Sequence, residues 1–204
     1  MAAAKGGVFP TDSSVLSVDM NDKHQDTRIA WGITGSGHFL DECIELITQT
    51  DRVDVFLSKA VEEVLTMYRF RERLTESGGR VYRDNTESAV PVGQFYLGRY
   101  ERLVVAPATS NTVAKCVAGI SDTLISNLVA QAGKCRIPAI VFACDTEPVV
   151  VTPAPGQMVT VYPRDIDLDC AARLGAFEGV QLVRSMAELE QALAEEATWP
   201  THSS

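Results

Sequence analysis

The chain has 204 residues, 46% of them hydrophobic and 22% charged, enough apolar material for one globular domain with a substantial core. Its 27 acidic residues outnumber 18 basic ones, for a net charge of -9 and a pI near 4.8, so nonspecific attraction to nucleic acid or an anionic membrane is disfavoured. No apolar run approaches the roughly 20 residues of a membrane span, and the N-terminus lacks the basic-then-apolar pattern of a secretory leader, so a cytoplasmic protein is expected.

Residues 1–27 contain Gly6, Gly7, Pro10, Ser13 and Ser14 among several charges, without sustained periodicity, and read as a flexible extension. From Arg28 the pattern changes. Ile29-Ala30-Trp31-Gly32-Ile33 is strand-like, Thr34-Gly35-Ser36-Gly37 is a turn, and Leu40, Cys43, Ile44 and Ile47 have the spacing of an amphipathic helix. The same grammar repeats with Val53 to Leu57 as a strand and Val61, Val64, Leu65 and Tyr68 on a helix that ends near Gly78-Gly79. Arg80-Val81-Tyr82 is a third strand, and the stretch through Pro91 and Gly93 reads as loop. A strand at 102–106 leads into a helix at 110–118, stopped by Gly119, and a further helix runs from about Thr123 to Gln131.

Ile137 to Phe142 is the next strand, with Pro138 tolerable only near its start. Pro148, Pro153, Pro155 and Gly156 mark the following segment as irregular. Val180 to Val183 forms a last short strand, and Ser185 with Glu188 is a capping box opening a last helix. Strands alternating with helices predict an α/β fold: a single-domain, Rossmann-like or flavodoxin-like parallel sheet with helices on both faces. The five cysteines, Cys43, Cys116, Cys135, Cys144 and Cys170, sit in mostly apolar settings without CxxC spacing. Buried thiols are expected there, with no disulfide framework and no metal site.

Three strand ends carry ligand chemistry. Ala106-Pro107-Ala108-Thr109-Ser110-Asn111-Thr112 follows a buried strand and opens a helix, where unpaired N–H groups face anions and carbonyls. An N-cap role for Ser110 accounts for that residue and leaves Thr109, Asn111 and Thr112 without a reason. Gly35 permits close approach of backbone N–H groups to a phosphate. Ser58 and Lys59 offer a hydroxyl and an ammonium where a dinucleotide fold would place an acid, which favours a mononucleotide.

With these turns together, the chain resembles the flavin-binding family that includes the homo-oligomeric cysteine decarboxylases and the flavin prenyltransferases. The heptad is similar to that family's Pro-Ala-Ser-Ala-Asn-Thr signature, with Ser110 where alanine is usual. Gly119-Ile120-Ser121-Asp122-Thr123-Leu124 resembles its Gly-x-x-Asp-x-Leu segment. The resemblance implies FMN as cofactor, bound by Gly35, Ser36, Ser58 and Lys59 at the phosphate and ribityl chain. Ala106, Thr109, Asn111 and Thr112 would contact the ring system, with Ser121, Asp122 and Thr123 approaching from the next helix; Asp122 is equally suited to cap that helix.

Departures from the family select a branch. Histidine occurs only at 24, 38 and 202, and Ala143-Cys144-Asp145-Thr146-Glu147-Pro148 stands in place of the decarboxylases' Pro-x-Met-Asn clamp. Asp145 also stands where a prenyltransferase arginine would hold phosphate. The opening segment through His38 and the stretch from Cys144 to Pro163 look most like the dihydromethanopterin reductase and archaeal flavoprotein branch. That resemblance implies an FMN-dependent oxidoreductase domain over residues 28–198, reducing a dihydropterin such as dihydromethanopterin. Its partners would be the pterin and a reduced flavin or other electron donor, and its assembly a homotrimer or larger. Asp145 or Glu147 could pair with a pterin's amino-pyrimidine edge, and His38 could donate a proton, though the catalytic residue stays unassigned. A flavin carrier and a flavin prenyltransferase are the alternatives.

Overall fold

Five consecutive buried residues, Val53 to Leu57, are what a strand covered on both faces requires, and the computed structural model places them inside a parallel sheet. It describes residues 27–67, 71–76, 78–84, 89–154 and 156–200. In chain order the elements begin β1 (Arg28–Ile33), α1 (Leu40–Gln49), β2 (Val53–Leu57), α2 (Lys59–Met67), α3 (Arg71–Glu76), β3 (Val81–Arg83), α4 (Ala89–Gly93) and β4 (Tyr100–Ala108). They continue with α5 (Ser110–Val117), α6 (Leu124–Lys134), β5 (Ala139–Ala143), β6 (Val150–Ala154), β7 (Gln157–Val161), α7 (Asp165–Gly175), β8 (Val180–Val183) and α8 (Met186–Ala194).

The sheet has six strands in the order β3-β2-β1-β4-β5-β8, every neighbouring pair parallel. This is the Rossmann order rather than the flavodoxin one, and it reverses direction between β1 and β4. Side chains alternate between two cores. Ala30, Phe56, Leu103, Val105 and Val141 meet α4 to α7 through Val92, Val113, Leu128 and Leu174. Trp31, Val55, Val104, Ile140 and Phe142 meet α1, α2, α3 and α8 through Ile44, Leu65, Leu74 and Leu189. Helices therefore cover both faces, as the strand-helix alternation predicts. No helix among the described residues is long and apolar enough to cross a membrane.

Several expectations are corrected. The segment expected to be irregular holds an antiparallel hairpin, β6 with β7, in which Pro153 is tolerated because a two-stranded ribbon has only edges. The helix α7 was not expected: it has three aspartates at 165, 167 and 169, and buries only Asp167, Cys170, Ala171 and Leu174. The predicted loop before β4 contains the short α4. The helix predicted to run on toward Gly78 is helical over α2 and α3, and residues 68–70 between them lie outside the described residues. Tyr68, and the extension apart from Thr27, lie outside the described residues. Capping is also reassigned at two helices. Thr109, not Ser110, caps α5, and Thr123, not Asp122, caps α6. At α8, Ser185 accepts the N–H of Glu188, while the Glu188 carboxylate accepts from Arg184, so the box is shifted by one residue.

A candidate flavin site at the carboxyl ends of the strands

The turns that follow β1, β2, β3 and β4 surround a cavity of about 350 Å³ at the carboxyl edge of the sheet. Thr34 and Gly35 come from the first turn, Ser58, Lys59 and Ala60 from the second, Asp84 from the third, and Thr109, Asn111, Thr112 and Lys115 from the fourth and α5. Thr123 and Ile125 of α6 complete the wall. This crevice spans the β1/β4 reversal, where open α/β sheets bind ligands.

Three helices begin at the cavity, and each is capped by a residue on its wall. Ser58 Oγ accepts the N–H of Val61, at 3.2 Å, in α2. Thr109 Oγ1 accepts from Thr112 at 3.4 Å in α5. Thr123 Oγ1 accepts from Ser126 at 3.2 Å in α6, and the Ser126 hydroxyl returns the bond to the Thr123 N–H at 3.0 Å. Each helix start contributes about half an elementary positive charge, and Lys59 and Lys115 add two cations. The site is thus built to take an anion, with hydroxyl and amide groups around it for a polar ligand.

Close packing fixes these turns. Thr34 is buried, its hydroxyl donating to the Pro107 carbonyl at 2.8 Å and accepting the Thr109 N–H at 2.8 Å, which locks the β1 turn to the β4 turn. A Cβ on Gly35 would lie 2.6 Å from Ala60 Cβ, so only glycine lets the β1 turn lie against the start of α2. Gly32 acts similarly on the other face, where a Cβ would come 3.1 Å from the Ile125 side chain and push against α6.

Of the residues expected from sequence, Gly35, Ser58, Lys59, Thr109, Asn111, Thr112 and Thr123 come together here. Ser36 stands one residue away and accepts the His38 N–H at 3.1 Å. Ala106 does not reach the cavity. Its side chain is fully buried in the α1/α8 core, and its carbonyl accepts from the Trp31 indole at 2.9 Å. Ser121 and Asp122 are exposed in the α5 to α6 turn. Asp122 acts through Lys115, whose ammonium lies 2.9 Å from both carboxylate oxygens; that hydrogen bond holds the carboxyl below its ordinary range. Asp145, half-buried at the end of β5, accepts the Ser110 hydroxyl, while Glu147 is exposed.

The sequence reasoning missed Thr34, Asp84 and Lys115 as wall residues. Lys115 lies three residues beyond Thr112 on one helix face, a spacing that could have revealed it. Asp84 follows β3, whose carboxyl end belongs to the same edge. A roomier cavity, of about 500 Å³, lies at the opposite edge between Arg102, Pro138, Gly179 and Pro200. It holds none of the expected residues, and Arg102 there is engaged with carbonyls at the end of α8, at 2.7 Å from Ala192 and 3.0 Å from Leu193. Strand amino ends and a helix carboxyl end make a poor anion site, so the smaller cavity is the candidate.

Known proteins share sequence and fold with this chain. A curated dihydromethanopterin reductase (acceptor) from Methanosarcina mazei is 42% identical over 153 residues, 69% of this chain and 61% of that protein. The chain therefore spans about three fifths of that relative's length. An uncharacterised protein of Methanocaldococcus jannaschii is 36% identical over 174 residues, 81% of this chain and 94% of the other. Among solved structures, Burkholderia xenovorans DmrB in complex with FMN, described as a cubic protein cage for redox transfer, superposes with a TM-score of 0.76. It is 56% identical, over 83% of this chain and 94% of DmrB. Phenylacrylic acid decarboxylase from Aquifex aeolicus, at 19% identity and a TM-score of 0.61, shares the fold. The family model for flavoproteins matches residues 17–201, and the chain belongs to the flavoprotein family.

Proposed function

We propose that the chain is an FMN-dependent oxidoreductase that reduces a dihydropterin, with dihydromethanopterin as the substrate suggested by its relatives. The observation that carries the reading is the convergence of three capped helix starts and two lysines on one crevice, in a chain 56% identical to a protein crystallised with FMN. Gly35, Ser58 and Lys59 would hold the phosphate and ribityl end, with Lys115 as a second cation. Thr109, Asn111, Thr112 and Thr123 would offer hydrogen bonds to the polar edge of the ring system. When bound, FMN supplies two-electron redox chemistry, and the protein's contribution is to orient the ring and exclude water. Thr34 and Gly35 serve that end by fixing the turns against each other. A homotrimer or larger assembly is part of the proposal, supported by the cage that DmrB forms.

Prenyl transfer gains no support, because the Asp145 carboxylate would repel a prenyl phosphate. The purified protein is expected to release FMN on denaturation and, supplied with a reductant, to turn over dihydromethanopterin. A protein that binds FMN yet stays reduced when mixed anaerobically with dihydropterin would be a carrier, and the reductase reading would be rejected.

A further inference from the structure

Among the described residues that line the crevice, Asp84 is the only acid, on a wall otherwise furnished for an anion. Hydrogen bonds between strands order the turns along the carboxyl edge of the sheet. The Ser58 N–H donates to the Ile33 carbonyl at 3.0 Å, which sets the β2 turn directly beside the β1 turn. The Asp84 N–H donates to the Leu57 carbonyl at 3.0 Å, which sets Asp84 directly beside the β2 turn on its outer side. Neighbouring strands lie about 4.8 Å apart, so Asp84 stands one such spacing beyond Ser58 and Lys59, and three beyond the β4 turn where the ring system would sit. A flavin laid along this edge, with its phosphate at Ser58 and Lys59, turns the far side of that phosphate toward Asp84. The charges here are sparsely matched. Lys115 is paired with Asp122 at 2.9 Å, and Arg83, next to Asp84 in sequence, lies 3.6 Å from Glu62. Asp84 itself is half-buried, and its carboxylate has no hydrogen bond or ion pair among the described residues.

We infer that Asp84 makes the crevice selective for a flavin bearing a single phosphate, by opposing a second phosphoryl group where a dinucleotide would continue. This rests on the flavin reading above and deepens it by naming the residue that sets the choice of cofactor. A site discriminates between two ligands as effectively by an unpaired charge set against one as by contacts made to the other. The first phosphate meets Ser58, the unpaired Lys59 and the starts of α2, α5 and α6, each worth about half a positive charge, and these outweigh one carboxylate a strand further on. A second phosphoryl group has passed that cluster and meets Asp84 instead, without a cation among the described residues of the wall to offset it. The acid is therefore a small burden on the mononucleotide and a large one on the dinucleotide.

The test is titration of the full-length apoprotein with FMN, flavin adenine dinucleotide and riboflavin, read by quenching of flavin fluorescence. The parent is expected to bind FMN more tightly than the dinucleotide. Asp84→Asn removes the charge at nearly constant shape, and should tighten the dinucleotide by about tenfold, FMN by no more than about threefold, and riboflavin not at all. Asp84→Ser should behave like Asp84→Asn, which guards against misfolding of either variant, and Asp84→Glu keeps the charge and should keep the dinucleotide out. Riboflavin affinity equal to the parent's certifies that a variant's crevice is intact. An unchanged ratio of dinucleotide to FMN affinity in such a variant overturns the inference, as does a parent that binds both nucleotides equally. Weaker riboflavin binding by both neutral variants overturns it too, because the carboxylate would then be receiving the ribityl hydroxyls. A parent that binds none of the three flavins refutes the flavin reading itself, and this inference with it.

Discussion

Replacing Gly35 by alanine adds one methyl group at the tightest contact in the candidate site. The new Cβ would lie 2.6 Å from Ala60 Cβ and 3.2 Å from the Ala60 carbonyl carbon, whereas ordinary carbon contacts need about 3.5–4.0 Å. A separation of about 1 Å must therefore open between the β1 turn and the first turn of α2. Backbone, not a flexible side-chain tip, has to move. Ser58 and Lys59 ride on that turn, and sites of this kind tolerate misplacement of only about 0.5 Å. Gly35→Ala is expected to lose about 1–3 kcal/mol of stability by overpacking. Its FMN affinity should fall by about 10- to 100-fold, measured by quenching of flavin fluorescence on titrating apoprotein. Gly35 does not have a positive φ, so strain in the backbone of the alanine variant is not a competing cause. Adding Ala60→Gly removes the opposing methyl and should recover most of the lost affinity. An FMN affinity within about twofold of the parent in Gly35→Ala, or no recovery in the double variant, would refute the steric reasoning.

Lys115→Met should weaken FMN by about fivefold, a modest figure because the lysine is partly exposed and already paired with Asp122, and should leave riboflavin binding unchanged; an equal loss for riboflavin would show that the lysine does not meet the phosphate. Asp54 is fully buried and accepts from Arg28 at 2.9 Å, the Arg80 N–H at 3.1 Å, Arg99 at 3.1 Å and the Tyr100 hydroxyl at 3.0 Å. Burial pushes its pKa up, but these donors outweigh burial and hold it below the ordinary carboxylate value. Asp54→Asn should cost about 3–5 kcal/mol, a fall of about 6–20 °C in Tm by thermal denaturation. A depressed folded pKa means that this stabilisation is complete above the unfolded carboxyl pKa, about 3.9, and is lost as pH falls through the folded value. The Asp54→Asn variant should therefore lack that part of the acid slope, and an unaltered slope would exclude Asp54 as its source.

What the sequence discloses depends on how completely an element is buried. The strands β1, β2, β4 and β5 are continuous apolar runs covered on both faces, and each is recognisable to within a few residues. The hairpin is the opposite case: β7 is exposed along nearly its whole length, so no alternation marks it, and its prolines suggest disorder in the pattern instead. The helix α7 hides because aspartates interrupt its narrow apolar stripe. In the site, residues local to one turn were legible, since hydroxyls and glycine cluster in sequence. Those supplied by a distant strand end, such as Asp84, or by a second helical turn, such as Lys115, depend on packing that no single window displays. The caps at Thr109 and Thr123 illustrate the same limit, because serine, threonine and aspartate compete for one position and the backbone conformation at the helix start decides the winner.

Ser58, Thr109 and Thr123 each line the crevice, and the hydroxyl of each secures the start of a helix. Affinity and folding are consequently entangled at these three positions: an inactivating substitution there arrives with a loosened helix, and the resulting defect would be read in a cell as poor abundance rather than lost chemistry. Asn111 lines the same wall without anchoring a helix end, which makes it the position where activity could be silenced while the protein persists.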